Sequence, residues 1–481
     1  MSKEKMYYMH CVIGLIIMFG FGFLPAPAPI TVLGMQMLGV FFGLLYLWST
    51  CGLIWPRVAG FVALAVFGAG NADSITKLTF GNSHVMMMVF VTAVVVACQE
   101  AGVFEYLINW MMTRKFLNGN PWGLSIIFFV AAFALSALSS SVPVIFMLWA
   151  MFYGVCQQVG LKKGSSYVNT MLVGIVFAAC CGSSLFPFKD TALVFIAAYT
   201  NMSGVTVPYL PYIILMFCIS AAAIGLYLLA MRFVFRVDVS PLKNITTESF
   251  KKDLPSMSRL QKFLSIYSIA LVFVIALPVV ANFSAAGWAK SLSNLSMVGM
   301  SWLLFMVLAL IKVEGQPVLN FGRIANKLPW DLVFLLGAAM AVSGILTGEG
   351  TGVKEFVSGI ITPIFTGRSE FVFLMLLCAI TLILTNIANN AVVAFMMLTV
   401  TYIFSTQFPI NQPLAISFIN LTCIIAFLLP ASSMFGAMLY ANSEWIEAKR
   451  IPVLAVTIVL IVFVSQGVGE IFCLPKTAWP P

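Results

Sequence analysis

Long apolar runs separated by short polar stretches dominate this chain, and few folds accommodate that pattern. Hydrophobic residues make up 61% of the sequence and charged residues only 9%, whereas charged residues are about 25% of a typical soluble domain. A water-soluble protein with so few charges could not cover its surface with polar groups. We therefore expect lipid to be the solvent for most of the chain.

Nine of the apolar runs approach the roughly 20 residues that a helix needs to cross a bilayer. They cover 8–27, 31–51, 57–71, 83–99, 208–235, 263–281, 295–312, 331–347 and 453–472. The first run follows two lysines, as in a signal peptide, but it is long enough to span and prolines crowd the would-be cleavage point. We predict that 1–30 forms a transmembrane helix.

Four further apolar segments are each interrupted by a short polar cluster. We predict re-entrant hairpins at 122–158 and 370–405, and broken helices at 165–200 and 412–441. With the nine runs, the two broken helices predict an all-α polytopic membrane protein of about 11 transmembrane helices. Two moderately apolar stretches that carry charges, 102–116 and 352–367, predict helices lying along the membrane surface.

The polar segment 236–262 separates two halves that match without gaps at an offset of 250 residues. At this offset Ser139-Ser140 falls on Asn389-Asn390, and Gly182-Ser183 falls on Ser432-Ser433. Internal repeats of this kind are common among secondary transporters. The predicted division is a first repeat over 31–235, a cytoplasmic linker over 236–262, a second repeat over 263–441, and a C-terminal transmembrane helix and tail over 442–481.

The basic residues predict that the two repeats are inverted. With a cytoplasmic N-terminus, 19 of the 25 lysines and arginines fall on the cytoplasmic side and five on the other, with Lys189 inside a span. This bias follows the positive-inside rule. In this arrangement the C-terminus lies on the external side of the cell membrane. The first hairpin then opens inward, towards the cytoplasm, and the second opens outward.

The polar clusters have two interpretations. Serine and asparagine side chains form hydrogen bonds between packed membrane helices. Alternatively, interrupted helices at bilayer depth present helix N-termini to an anion, and free carbonyl and hydroxyl oxygens to a cation. Four clusters at matching repeat positions favour the second interpretation.

Lys189 and Asp190 follow the first broken helix, where an ionisable residue in a membrane span indicates function. One alternative is that they pair with each other or reach the polar cavity of the break, contributing only local structure. The other is that Lys189 supplies a fixed positive charge to an anionic substrate or replaces a coupling cation.

Nearly the whole chain, and most clearly its second half, resembles the divalent anion/sodium symporter family. The resemblance rests on WDLVFLLG at 330–337, Gly352-Val353, LTNIANNAVVAFMM at 384–397 and AFLLPASSMFGAMLY at 426–440. The hairpin tips differ from the Ser-Asn-Thr usual in that family, since they read Ser-Ser-Ser at 139–141 and Asn-Asn-Ala at 389–391.

The resemblance implies a homodimeric, sodium-coupled carrier of di- or tricarboxylates with an elevator-type movement. It implies one sodium site near Ser139, Ser140 and Gly182. It implies a second sodium site near Thr385, Ala388, Asn390 and Ser432. Anion contacts would come from Ser140, Ser141, Asn390, Ser183 and Ser433.

Other classes of function remain less favoured. The sequence has no HExxH, no GxSxG and no GxxxxGK[ST], so a metalloprotease, a serine hydrolase and an ATP-driven pump are disfavoured. The net charge of +9 comes from loop residues, so we expect no nucleic-acid partner. An exchanger or carrier of another anion, and a channel, stay open as alternatives.

Overall fold

The chain is an all-α polytopic membrane protein. The computed structural model describes residues 3–51, 54–113, 119–244, 257–281, 287–313, 315–346, 350–356, 358–359, 369–430 and 432–472. Within these residues, nine helices are long and apolar enough to cross a membrane, or ten if a pair bent by 74° counts as one more. The bent pair consists of Phe321–Lys327 and Trp330–Val342. A short antiparallel ribbon of two strands, β1 (Lys312–Val313) and β2 (Gln316–Pro317), precedes it.

Eleven helices lie in the described part of the first half. They are α1 (Lys3–Gly20), α2 (Val32–Thr50), α3 (Ile54–Val66), α4 (Ala72–Leu78), α5 (Ser83–Glu100), α6 (Val103–Met112), α7 (Pro121–Leu138), α8 (Ser141–Gln158), α9 (Ser166–Ser183), α10 (Asp190–Ser203) and α11 (Tyr209–Leu229).

The described part of the second half has a similar order of elements. It contains α12 (Arg259–Ala281), α13 (Gly287–Leu310), α14 (Phe321–Ile324), α15 (Trp330–Leu346), α16 (Glu370–Thr385), α17 (Asn390–Ser405), α18 (Gln412–Ile424), α19 (Met434–Ala441) and α20 (Ile451–Phe472). The series from α7 to α11 therefore recurs as α16 to α20.

Two predicted spans have the wrong boundaries. The span 8–27 is a helix over Lys3–Gly20 with a short 3-10 extension to Phe23, because Pro25 and Pro27 cannot continue it. The span 57–71 begins earlier and ends at Val66, where Gly68 adopts a positive φ of 74°. Arg57, the first residue of the predicted span, is consequently buried inside α3.

The four interrupted segments have their breaks at the polar clusters. The breaks lie at 139–140, 184–189, 386–389 and 425–433. Side-chain caps fix where several of these helices begin. Asn120 accepts a hydrogen bond from the backbone N–H of Gly123 at 2.9 Å, and Asn389 accepts one from Ala391 at 3.0 Å. Such caps satisfy N–H groups that have no partner within the helix.

The helices pack as two groups. The hairpin bundle comprises α7–α11 and α16–α20, and the frame bundle comprises α1–α5, α12, α13 and α15. The main contact between them is α10 against α15, where the Asn201 amide donates to the Met340 carbonyl at 2.8 Å. The two bundles are thus joined mostly through α10.

The predicted surface helix 102–116 corresponds to α6, which buries Val103, Phe104 and Ile108 and leaves Trp110 exposed. It packs against α5, α7, α8 and α12. Most of the predicted surface helix 352–367 lies outside the described residues, as does much of the linker 236–262.

Candidate functional site

The first hairpin tip joins the end of α7 to the start of α8. Ser139 is 1% exposed and Ser141 is buried, while Ser140 between them is exposed. The last carbonyls of α7 and the first N–H groups of α8 carry opposite partial charges and lie within three residues of each other along the chain. A tip of this kind can attract an anion and a cation at adjacent positions.

The second tip brings two of the predicted ligands together. The Thr385 hydroxyl donates to Asn390 Oδ1 at 3.0 Å and to the Cys423 carbonyl at 2.9 Å. Three neutral oxygens from α16, α17 and α18 therefore converge where α17 begins. Hard monovalent and divalent cations prefer such oxygen donors.

Asn386 holds the second tip to the second broken helix, and the sequence prediction did not assign it a role. Its Nδ2 donates to the carbonyls of Leu382 and Ile425 at 2.8 and 3.1 Å. Its Oδ1 accepts from the N–H groups of Phe427 and Leu428, both at 3.0 Å. This fully bonded amide fixes the non-helical backbone after α18 against the hairpin.

Gly182 allows α9 to approach α7 closely. A Cβ added at Gly182 would lie 2.1 Å from the Phe133 carbonyl oxygen, which is backbone and cannot rotate away. The neighbouring Ser183 hydroxyl donates to the Cys180 carbonyl at 2.8 Å, one turn back in its own helix. In this structure Gly182 has a packing role, and the Ser183 hydroxyl points back to its own helix.

The second break, 425–433, is closed by its own serines. The Ala426 carbonyl accepts from Ser432 at 3.1 Å and also from Ser433, and Ser433 caps α19 by accepting from Gly436 at 2.9 Å. The Ala388 N–H donates to the Leu384 carbonyl at 2.8 Å. Where the chain is described, no hydrogen bond joins Ser432 or Ala388 to Thr385 or Asn390.

Lys189 lies in the connection between α9 and α10, where the sequence placed it within a span. It is only 5% exposed, and its Nζ donates to the carbonyls of Ser136 and Ser139. The ammonium therefore binds the C-terminal carbonyls of α7 at the first tip. The side chain of Asp190 lies outside the part that the structure describes.

A buried tyrosine links the two broken helices. The Tyr212 hydroxyl in α11 donates to the Ser184 carbonyl at 2.7 Å and accepts from Asn420 Nδ2 in α18 at 2.6 Å. Neither residue was predicted, although Asn420 is a polar residue within an apolar run. This bond chain connects the first residue of the break after α9 to the interior of α18.

A cavity of about 190 Å³ reaches the first tip from the side of the segment 315–329. Gln99, Glu100, Ser139 and Lys327 contribute to its lining. Gln99 Nε2 lies 2.6 Å from the Ser139 hydroxyl, and Glu100 pairs with Lys327 at 2.7 Å and Arg323 at 2.9 Å. The first tip thus borders a cavity in which these polar groups lie among apolar side chains such as Val96 and Met147.

The sequence model of the citrate transporter family matches residues 12–422 of the chain. The chain belongs to the citrate transporter family. Its members are carriers, and this chain is accordingly a secondary transporter of organic anions rather than an enzyme. The sequence resemblance pointed to the divalent anion/sodium symporter family, and the match supports that resemblance at the level of the ion transporter superfamily.

The solved structure of the YdaH transporter from Alcanivorax borkumensis has a similar fold. It is 13% identical to this citrate transporter family member, covers 98% of both chains and superposes with a TM-score of 0.56. At that identity the likeness concerns the fold alone. No curated protein sequence matches the chain.

The two tips differ in how well they suit a sodium ion. In the second tip the Thr385, Asn390 and Cys423 oxygens form a suitable neutral donor set. In the first tip the Ser136 and Ser139 carbonyls already bind the Lys189 ammonium. Among the described residues, no group of three or more His, Cys, Asp or Glu side chains could hold a metal.

Proposed function

We propose that this protein carries citrate, or a di- or tricarboxylate of similar size, across the cell membrane together with a coupling cation. The family match supports the citrate assignment. The observation that carries the site is the pair of interrupted hairpins, each of which places a helix N-terminus beside backbone or side-chain oxygens. Such half-helix ends bind anionic groups of substrates in other transporter folds.

In this mechanism the carboxylates bind at the starts of α8 and α17. Ser140 and Ser141 would donate hydrogen bonds at the first tip, and Asn390 would do so at the second. Ser183, just before the first adjoining break, and Ser433, at the end of the second, would donate further bonds once their hydroxyls turn from the Cys180 and Ala426 carbonyls. Because the substrate loses its hydration in the site, these donors and the helix dipoles compensate its negative charge.

We assign the coupling cation, with Na⁺ as the first candidate, to the second tip. Thr385 and Asn390 would supply side-chain oxygens and Ala388 and Ser432 would supply further ligands after a local adjustment. A bound Na⁺ would add positive charge beside the anion. Because the Thr385 hydroxyl also contacts the Cys423 carbonyl on α18, cation binding would affect the break that follows α18.

Movement of the hairpin bundle against the frame bundle would expose the site to each side in turn. The described part of the interface between them supports this because mainly apolar side chains meet there. A small apolar cavity there, of about 20 Å³, is bordered by Phe41, Leu44, Leu45, Trp48, Met202, Ala339, Val342, Phe395 and Thr399. A homodimer joined through the frame bundle belongs to the same proposal.

The test of the function is uptake of labelled citrate by proteoliposomes that contain the purified protein. We expect saturable uptake that an inward sodium gradient stimulates and that unlabelled citrate on the far side accelerates by counterflow. Succinate and tricarballylate serve as competing di- and tricarboxylates. Uptake without saturation or counterflow would indicate a channel, and counterflow that ignores every cation gradient would indicate an exchanger.

A second expectation concerns orientation in the membrane. In a background without native cysteines, cysteines at Lys163 and Lys312 should react only with reagent on the cytoplasmic side, and cysteines at Lys77 and Lys290 only from outside. The measurement is labelling of intact cells with a membrane-impermeant maleimide before and after permeabilisation. Labelling of positions 77 and 312 from the same side would rule out the inverted arrangement.

A further inference from the structure

Lys189 is the most unusual buried charge in the hairpin bundle. An ammonium within the membrane is costly unless it is paired or serves a function. Here it is 5% exposed and is directed to main-chain carbonyls of Ser136 and Ser139, which end a helix. Helix C-termini carry partial negative charge, so these carbonyls form a site suited to a cation.

The sequence of the first tip explains why its carbonyls accept a cation. In the second tip Asn389 is the N-cap of α17, and its carbonyl accepts from the Val393 N–H at 3.1 Å. In the first tip the N-cap of α8 is Ser140, so Ser139 lies one residue before the helix and outside its hydrogen-bond ladder. The residue four positions beyond Ser139 is Pro143, which has no N–H to donate. The Ser139 carbonyl accepts from the Lys189 ammonium instead.

The two tips consequently differ in the charge placed beside them. Ser433, which precedes α19 as Lys189 precedes α10, carries no charge. In the second tip the neutral amide of Asn386 donates hydrogen bonds to two nearby main-chain carbonyls. The Thr385 hydroxyl and Asn390 Oδ1 are hydrogen-bonded to each other. A fixed positive charge is thus built into one half of the site only.

We propose that the Lys189 ammonium is the resident cation of the first tip. Substrate carboxylate binding at the start of α8 then needs no inorganic ion there, and the coupling cation binds at the second tip alone. This inference rests on the proposed function for the identity of the anion. In this proposal the Lys189 ammonium, bound at the Ser139 carbonyl, permanently compensates the negative charge of a substrate carboxylate that binds at the neighbouring Ser140 and Ser141.

The experiment uses the purified full-length protein with Lys189→Ala, which vacates the space of the side chain, and Lys189→Met, which fills it without charge. Lys77→Ala, at an exposed position on another helix, is the matched control for loss of one positive charge. Each protein is tested with n-propylammonium chloride and, for equal ionic strength, with tetraethylammonium chloride, which is too large for the vacated space.

Two readouts are needed. The first is the melting temperature without substrate, which n-propylammonium should raise for Lys189→Ala but not for the wild type, Lys189→Met or Lys77→Ala. The second is the apparent KM for citrate uptake, which should rise about tenfold or more in both Lys189 variants, since a charged hydrogen-bond partner is lost. n-Propylammonium should lower it again in Lys189→Ala alone.

Either readout can overturn the proposal. An unchanged KM in both variants would make Lys189 a structural cap of α7, even if n-propylammonium stabilised Lys189→Ala. Absence of n-propylammonium stabilisation in a folded Lys189→Ala protein would show that no cation site exists there. If Lys189→Ala does not accumulate, a wild-type KM in Lys189→Met overturns the proposal by itself. Failure of the wild type to take up citrate would instead refute the proposed substrate, and the melting measurement would still decide the cation site.

Discussion

Replacing Asn390 with alanine is expected to abolish citrate uptake while the protein still reaches the membrane at a normal level. Asn390 begins α17, and its Oδ1 accepts from Thr385 at 3.0 Å in the proposed cation site. The change removes an oxygen ligand and an amide donor for the anion. Loss of hydrogen bonds to charged groups costs about 1.5–3 kcal/mol, or roughly 10- to 150-fold in affinity.

The measurement is the initial rate of uptake over a range of citrate and sodium concentrations, normalised to protein in the liposomes. Asn389→Ala is the matched control, because this neighbouring asparagine caps α17 through the Ala391 N–H. Its loss should lower the melting temperature by removing a cap worth about 1 kcal/mol. The apparent KM should stay near that of the wild type. If Asn390→Ala transported at the wild-type rate, the second tip would not be the binding site.

Replacing Gly182 with alanine is expected to destabilise the hairpin bundle strongly. The new Cβ would lie 2.1 Å from the Phe133 carbonyl oxygen, so α9 and α7 would have to separate. Overpacking of this kind costs about 1–3 kcal/mol. The backbone carbonyl of residue 182 is retained, so any loss of transport would come from the displaced helix and not from a missing cation ligand.

Thermal unfolding in detergent, followed by size-exclusion fluorescence, measures this effect. Gly154→Ala is the control, because Gly154 lies within α8 of the same bundle and has open space where a Cβ would be added. Alanine there should leave the melting temperature equal or slightly higher, since alanine favours a helix over glycine by about 0.5–1 kcal/mol. Equal melting temperatures for the two variants would contradict the close contact between α7 and α9.

The sequence by itself determined the fold class and the places where the membrane helices break. Both depend on local chemistry. Apolar runs must form helices in lipid because the backbone has no water to bind. Short clusters such as Ser139–Ser141 and Asn386–Asn390 interrupt those runs visibly. Two helix ends differ from the sequence prediction, because α1 ends before Pro25 and α3 ends before Gly68.

Only the tertiary structure decided which polar groups meet. Lys189 was recognisable as an unusual charge, but its bonds to the Ser136 and Ser139 carbonyls depend on how α7 packs beside the connection after α9. Asn420 and Tyr212 gave no comparable signal, because a single polar residue in an apolar run has many possible partners. Hydrogen-bond partners far apart in the chain are selected by helix packing, and the one-dimensional pattern does not record that packing.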